Sequence, residues 1–446
     1  MAGPIDPHRT GPLTSAPVPT SLGHLLTLTV GAPAAGGTFV ARHEGRVVFV
    51  RGAAPGETVV ARLVDDPVAQ KDARFWRAET LEVLEESVDR VPSVWPEAGI
   101  DGVGGAEWAH IALPAQRRLA TEVLRDLLRR ARVTSFPLDE VQVEPAPHDE
   151  DGLGWRTRER YAIGPDGRIG MHGWRSEQVH PVGENPLAAR AIRDLDLPSL
   201  SLPDGVASVE AIAPSAGPAA VVLGGRRLDP TSLSLPSSLD GVDLSVSGPS
   251  GLVPVVGDGL VRERVGSRSF RVGATGFWQV HRDAAALLSD VVAQDLGVHE
   301  GDTVWDLYGG VGLFAGVLAG AVGPTGSVTS VEGDRRASAL ATENLADLPQ
   351  VRVENGDVTT WVRGSGTRPD RVVLDPPRAG AGARLMRLLT RCVRSRIVYV
   401  SCDPSTLARD LVVAEGAGWQ LTDLRAFDLF PHTHHIESVA VLEPAA

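Results

Sequence analysis

Between residues 303 and 442 the chain alternates short β-branched runs with apolar or amphipathic helical ones, and this alternation constrains the fold more than any other feature. Strands are expected at 303–307, 327–332, 351–353, 371–374, 396–401 and 438–442, with helices at 312–318, 335–344, 380–391 and 405–415. Strand and helix recurring at this spacing pack as a parallel sheet covered on both faces, so residues 263–446 are expected to form an α/β, Rossmann-like domain. Such sheets take ligands in the crevice at the carboxyl ends of their strands, and the informative residues fall on that edge.

Ahead of this domain, residues 24–85 hold five β-rich runs, at 25–30, 38–43, 46–50, 57–63 and 75–83, separated by turns such as GAPAAGG and GAAPGE. Five strands in so short a stretch fit a small barrel of the oligonucleotide-binding type. Arg42, Arg46, Arg51, Arg62, Lys71, Arg74 and Arg77 make this segment nearly neutral in a chain of net charge −13, a candidate phosphate-facing surface. Residues 86–262 read as a mostly β middle domain. Within it an amphipathic helix at 114–133, with Leu119, Val123, Leu127 and Leu128 on one stripe, is expected to pack on the catalytic domain. Residues 1–23, rich in Pro, Ser and Thr, read as a flexible tail.

The acidic balance argues against a general nucleic-acid coat, which needs Lys and Arg to neutralise phosphates, but leaves room for local basic patches. The most membrane-like stretch, 304–323, is interrupted by Asp306 and a glycine run, so a buried strand feeding a buried helix is expected rather than a span. No basic-plus-apolar export signal is read, which points to the cytoplasm. Cys392 and Cys402 are the only cysteines, too few for a four-thiolate cluster and expected to be free thiols.

The segment VWDLYGGVGLF puts Asp306, Tyr308, Gly309, Gly310 and Gly312 at a strand-to-helix turn where a ligand can approach the backbone. Glu332 ends the next strand, placed to accept hydrogen bonds from ribose hydroxyls, and Asp357 follows the third strand, where it can face an adenine amine. This set suits S-adenosylmethionine and NAD equally. In RVVLDPPR a strand delivers Asp375 to its carboxyl end, where Pro376 and Pro377 stiffen a platform for a planar base. IVYVSCDPSTLARD repeats the arrangement: Cys402 stands beside a helix N-terminus, which favours a thiolate, and Ser405 and Thr406 can cap that helix. Cys392, on an apolar helix face, reads as packing. His432, His434 and His435 lack ligands at standard metal spacing, so no metal is expected, and Glu437 at the last strand's entry reads as a buried proton acceptor.

Together these motifs resemble the RNA 5-methyluridine methyltransferase family. DPPRAG at 375–380, SCDPSTLARD at 401–410 and HHIESVAVL at 434–442 carry the resemblance, with 24–85 similar to that family's TRAM domain and 265–446 to its S-adenosylmethionine domain. FRVGATGFWQVH at 270–281 looks like the motif in which an aromatic and a glutamine, here Phe277 and Gln279, approach the cofactor; His281 stands where the family usually has Asn, and Gly309 where Cys is frequent. The resemblance implies a Cys402 thiolate that adds to uracil C6, Asp375 orienting the base, and Glu437 removing the C5 proton after methylation. It implies a structured transfer or ribosomal RNA as partner; no DNA and no membrane are expected, and a monomer is expected because no interface signal stands out. Relatives often hold an iron–sulfur cluster, but Val103 and Ala106 occupy expected cysteine positions, so none is expected here. An NAD-dependent oxidoreductase would explain the glycines and Glu332 but give Cys402, Asp375 and Glu437 no joint task. A non-catalytic RNA-binding factor on the same fold is the other alternative.

Overall fold

The structure is a computed structural model describing residues 24–65, 73–231 and 239–445; the tail and Lys71 lie outside the described residues. Five strands, β1 (Leu25–Ala34), β2 (Thr38–His43), β3 (Arg46–Arg51), β4 (Thr58–Leu63) and β5 (Phe75–Glu85), close into a barrel in the order β1-β2-β3-β5-β4. Alternate residues fill it: Leu28, Val30, Phe39, Ala41, Val48, Val50, Val59 and Ala61 are all buried. β1 continues through GAPA instead of turning there. The ladder shifts register between Val30 and Pro33, and a proline is tolerated in a strand at such a break.

Three of the barrel's arginines are paired with carboxylates of the protein itself. Arg51 bonds Glu79 at 3.1 Å, Arg62 bonds Glu79 and Asp101, each at 3.0 Å, and Arg77 pairs with Asp65, which corrects the expectation of seven phosphate-facing cations. Arg46 lies over the Trp76 ring, and Arg42 and Arg74 are exposed.

Helix α1 (Leu113–Ala131) starts with proline near its first position, where no amide donor is needed, and ends at Arg132 in the left-handed conformation. Its buried stripe is Leu119, Val123, Leu124 and Leu128, with Leu124 in place of the expected Leu127. The next strand, β6 (Val143–Pro145), leaves the middle region to pair in parallel with a strand of the C-terminal sheet. The middle sheet is made of β7 (Arg158–Ile163), β8 (Ile169–His172), β9 (Val179–Pro181), β10 (Val206–Ile212), β11 (Ala220–Gly225), β12 (Asp243–Gly248) and β13 (Gly251–Val256), with the short helix α2 (Arg190–Arg193) between β9 and β10. Its order is β13-β12-β11-β10-β7-β8-β9. A separate hairpin, β14 (Leu260–Val265) and β15 (Arg268–Gly273), leads into the last domain.

There the elements run α3 (Ala284–Leu296), β16 (Thr303–Leu307), α4 (Leu313–Val322), β17 (Ser327–Glu332), α5 (Arg335–Asn344), β18 (Val351–Asn355), α6 (Val358–Gly364), β19 (Arg371–Leu374), α7 (Gly382–Cys392), β20 (Arg396–Ser401), α8 (Pro404–Glu415), β21 (Trp419–Asp428) and β22 (Glu437–Pro444). The eight-stranded sheet has the order β18-β17-β16-β19-β20-β22-β21-β6, with β16 to β20 mutually parallel and β22 antiparallel beside β20. The alternation did not disclose α3, α6 or β21. The β21 signal is broken by Asp423 and Arg425 and by a register shift between Leu421 and Asp423. One apolar cluster joins the barrel, α1, α7, α8 and one face of this sheet, so the domains share a core. Among the described residues no helix is long and apolar enough to cross a membrane.

Candidate active site at the carboxyl edge of the C-terminal sheet

β16 ends beneath a turn whose backbone is held in unusual conformations. Tyr308 has φ +62°, Gly310 +55° and Gly312 +94°; for tyrosine this is strain of the kind that collects at functional sites. Gly309 has no room for a side chain: a Cβ there would lie 2.0 Å from Ser330 Oγ and 2.9 Å from Asp306 Oδ2. Asp306 is fully buried under this turn rather than on its surface. Its Oδ2 accepts from the Ala315 amide at 3.0 Å and the Ser330 hydroxyl at 3.2 Å, while Oδ1 is buried without a partner. Burial pushes this carboxyl up to about 7.

Glu332, at the end of β17, accepts the Gly310 amide at 3.0 Å and the Asp334 amide at 2.7 Å, which locks it against the glycine turn. Asp357, one step further along the same edge, caps α6 by accepting from the Thr360 amide at 2.8 Å. Glycine turn, Glu332 and Asp357 therefore stand at consecutive strand ends along one edge of the sheet. At the end of β19 Gln279 Nε2 approaches Asp375 Oδ2 at 3.4 Å, and Phe277 on the same loop is 71% exposed.

The chemical residues meet because of strand register. Ser401 pairs with Ser438 across β20 and β22, which sets Cys402 and Glu437 on facing strand ends; Leu374 pairs with Tyr399, which brings Asp375 to the same edge. Glu437 is buried, Asp375 is half-buried, and both press on the Cys402 thiol. Burial first, then those two charges, push Cys402 up to about 11, with Arg378 opposing weakly. This reverses the expected thiolate. The amides at the start of α8 are taken by Asp403, which accepts from Ser405 at 2.9 Å and Thr406 at 3.0 Å, so the cap is Asp403 and the two hydroxyl residues only donate. Burial and the neighbouring Asp306 charge push Asp375 up to about 7; burial and Asp375 hold Glu437 well above the usual carboxylate range. Asp306 and Glu437, both buried, and the half-buried Asp375 between them oppose one another's ionisation, which a cation among them would relieve.

The histidines do other work. His432 exchanges hydrogen bonds with Gln116, His434 pairs with the buried Glu107 at 3.2 Å, and His435 reaches Arg378 at 3.5 Å. Among the described residues no group of three or more His, Cys, Asp or Glu is placed to hold a metal. His281 is buried and stacked on Trp155, pushed down to about 4 by burial, with Nδ1 accepting from the Asp283 amide at 3.1 Å. Cys392 ends α7, packed against the apolar cluster, and burial raises its thiol.

Sequence reasoning missed the clamp on the loop that carries Gln279. Thr157 donates to the Val280 carbonyl through its amide at 2.7 Å and its hydroxyl at 2.9 Å, and the buried Arg158 donates to the Gly276 carbonyl at 2.8 Å. It also missed the brace behind Asp375, in which the Tyr399 hydroxyl and the Gly382 amide both donate to Asp410, at 2.9 and 3.0 Å. Asp410, set just before the apolar run 411–414, is the one available hint, whereas Arg158 stands among other charged residues and gives none.

Residues 365–445 match the family model described as tRNA (Uracil-5-)-methyltransferase, and residues 19–66 match the TRAM domain. The chain is 41% identical over 439 residues to an RNA methyltransferase of Streptomyces avermitilis, covering 95% of this chain and 99% of the relative. A Streptomyces coelicolor RNA methyltransferase is also 41% identical, over 96% and 95% of the two chains. The crystal structure of Pyrococcus abyssi tRNA (uracil-54, C5)-methyltransferase with S-adenosyl-L-homocysteine superposes with a TM-score of 0.69 over 93% of this chain and all of that one, at 23% identity, which shows a shared fold.

Proposed function

This chain belongs to the TRAM-containing, S-adenosylmethionine-dependent RNA uracil-C5 methyltransferases, and from that membership we propose that Cys402, Asp375 and Glu437 carry methyl transfer to C5 of one uridine in transfer or ribosomal RNA. The observation that supports these roles is the register that sets a thiol, the buried Glu437 and the half-buried Asp375 on adjoining strand ends beside the glycine turn.

The residues present fit the cofactor. When bound, S-adenosylmethionine supplies an electrophilic methyl on a cationic sulfur. A row of carboxyls with raised proton affinity, Asp306 with its unpartnered Oδ1 among them, is an environment such a cation relieves. Tyr308, Gly309, Gly310 and Gly312 shape the turn. Glu332 and Asp357 serve the ribose and adenine ends, and Gln279 and Phe277 approach from the opposite loop.

Uracil C5 is a poor nucleophile until a thiolate adds at C6. Cys402 forms the S–C6 bond, passing its proton to the Asp375 carboxylate so that Glu437 stays free to act as base, and the displaced electron pair spreads over C5 and O4. Asp375, holding a proton, donates toward O4, and its neutralisation lowers the proton affinity of Glu437. C5 takes the methyl, Glu437 accepts the C5 proton, and the S–C6 bond breaks to return the thiolate. A base so placed contributes on the order of 10²–10⁴ in rate. A mechanism that depends on a free thiol fits the reducing cytoplasm. RNA is the fitting substrate because DNA already carries the C5-methyl base. Every proposed group comes from one chain, which suits a monomer.

The test is a denaturing gel with 5-fluorouridine RNA. The wild type is expected to form a stable adduct, Cys402→Ala none, and Glu437→Gln a methylated adduct that accumulates even on ordinary uridine RNA. A covalent complex that survives Cys402→Ala would remove the nucleophile from this account.

A further inference from the structure

A cavity of about 180 Å³ opens where the barrel meets the loop 173–176 of the middle sheet, and it shares no lining residue with the strand-end site. Three aromatic rings and three arginines stand among its lining residues. Phe49 and Phe75 meet edge to face at 5.3 Å, and Trp174 faces them from the middle sheet. Two guanidinium groups lie over the Trp174 ring, Arg51 at 4.8 Å and Arg175 at 4.7 Å. Arg51 is tied to Glu79 and to the Gly99 carbonyl, so its position is fixed by the fold. Arg175 differs: it is exposed, takes part in no ion pair among the described residues, and adopts φ +48°, a conformation that costs an ordinary side chain energy. Phe75 stays 47% exposed beside these cations, where a purely structural aromatic would be covered.

We propose that this cavity is a second nucleotide subsite, which takes an unpaired base of the substrate RNA other than the uridine to be methylated. The proposal rests on the RNA methyltransferase reading and deepens it. The volume falls below the roughly 300–1,000 Å³ of pockets for whole small-molecule ligands and suits a single heterocycle. Aromatic faces flanked by arginine bind bases of any sequence by stacking. Glu79 already neutralises Arg51, so the cavity itself selects a ring, and the unpaired Arg175 at its rim takes the adjoining phosphate. Arg51, Arg62 and Arg77 of the barrel are engaged in internal pairs and the chain as a whole is acidic, so a stacking pocket with Arg175 at its rim gives RNA affinity that bulk charge does not.

The test titrates the full chain against a fluorescent oligouridylate and an abasic strand of equal length, with S-adenosylmethionine binding as the check on folding. Trp174→Ala is expected to lose on the order of tenfold in affinity for oligouridylate and nothing for the abasic strand. Trp174→Phe should recover most of the loss, and Arg175→Ala should weaken both strands and flatten the salt dependence by about one phosphate contact. The subsite is overturned if Trp174→Ala binds oligouridylate as the wild type does, if it loses equally on the abasic strand, or if phenylalanine is no better than alanine. Methyl transfer to bulk RNA by the same wild-type preparation separates the two ideas. Trp174-dependent binding without methyl transfer sinks the enzymatic reading alone; methyl transfer with Trp174-independent binding sinks the subsite alone.

Discussion

Asp375 is the residue at which chemistry and stability conflict most directly. Its folded-state carboxyl sits at about 7 against an ordinary 3.8, through burial and the Asp306 charge. Between those values the folded chain keeps a proton that the unfolded chain has lost. Stability must therefore fall as pH rises through that window and stay lower above it. Asp375→Asn removes this term, so the variant should melt at the wild-type temperature near pH 4 and above it at pH 8. The difference has a ceiling of roughly 4 kcal/mol, reduced because Asp306 and Glu437 titrate nearby. Methyl transfer by the variant should be abolished. Thermal melts across pH check this, and a gap that does not grow with pH would show that Asp375 ionises freely. The motif around Asp375 was legible in the sequence. The direction of the Cys402 shift was not, because it depends first on burial and then on two carboxyls delivered from other strands.

At the scale of elements, the turn from β16 into α4 is defined by what its glycines exclude. Gly309→Ala would drive a methyl group into Ser330 Oγ, and overpacking of this kind costs about 1–3 kcal/mol. S-adenosylmethionine affinity should fall with it, since the turn carries the Gly310 amide that holds Glu332. Ser330→Ala in the same chain should restore part of both, read by calorimetry and by melting. Failure of that rescue would mean that the residual approach to Asp306, and not Ser330, sets the limit. The glycine run announced this turn in the sequence, but its partner on β17 did not. Likewise the N-cap of α8 was legible as a cluster of polar residues without showing that Asp403 would take the amides offered to the thiol.

Across the whole molecule, the catalytic sheet depends on a segment far from it in sequence. Arg117 on α1 bonds Asp149 at 2.7 Å and Asp428 on β21 at 3.1 Å, both nearly buried. Gln116 beside it holds the His432 turn through an amide hydrogen bond of 2.8 Å. Burial lifts Asp428 to about 6 even with Arg117 beside it. Arg117→Ala should cost about 3–5 kcal/mol at pH 8, where Asp428 is ionised and left uncompensated, and less at pH 5, where it is protonated. Denaturant unfolding at the two pH values checks the sign, and equal losses at both would assign the effect to packing instead. Local pattern determined the alternating strands and helices, the barrel, the glycine turn and the motif residues, since each is written in a few neighbouring positions. Only the tertiary structure decided that β6 completes the C-terminal sheet, that β7 clamps the Gln279 loop, and that Cys402 lies among carboxyls that hold its proton. Those outcomes depend on strand register and on burial shared between distant segments, and neither quantity exists in a local stretch of sequence.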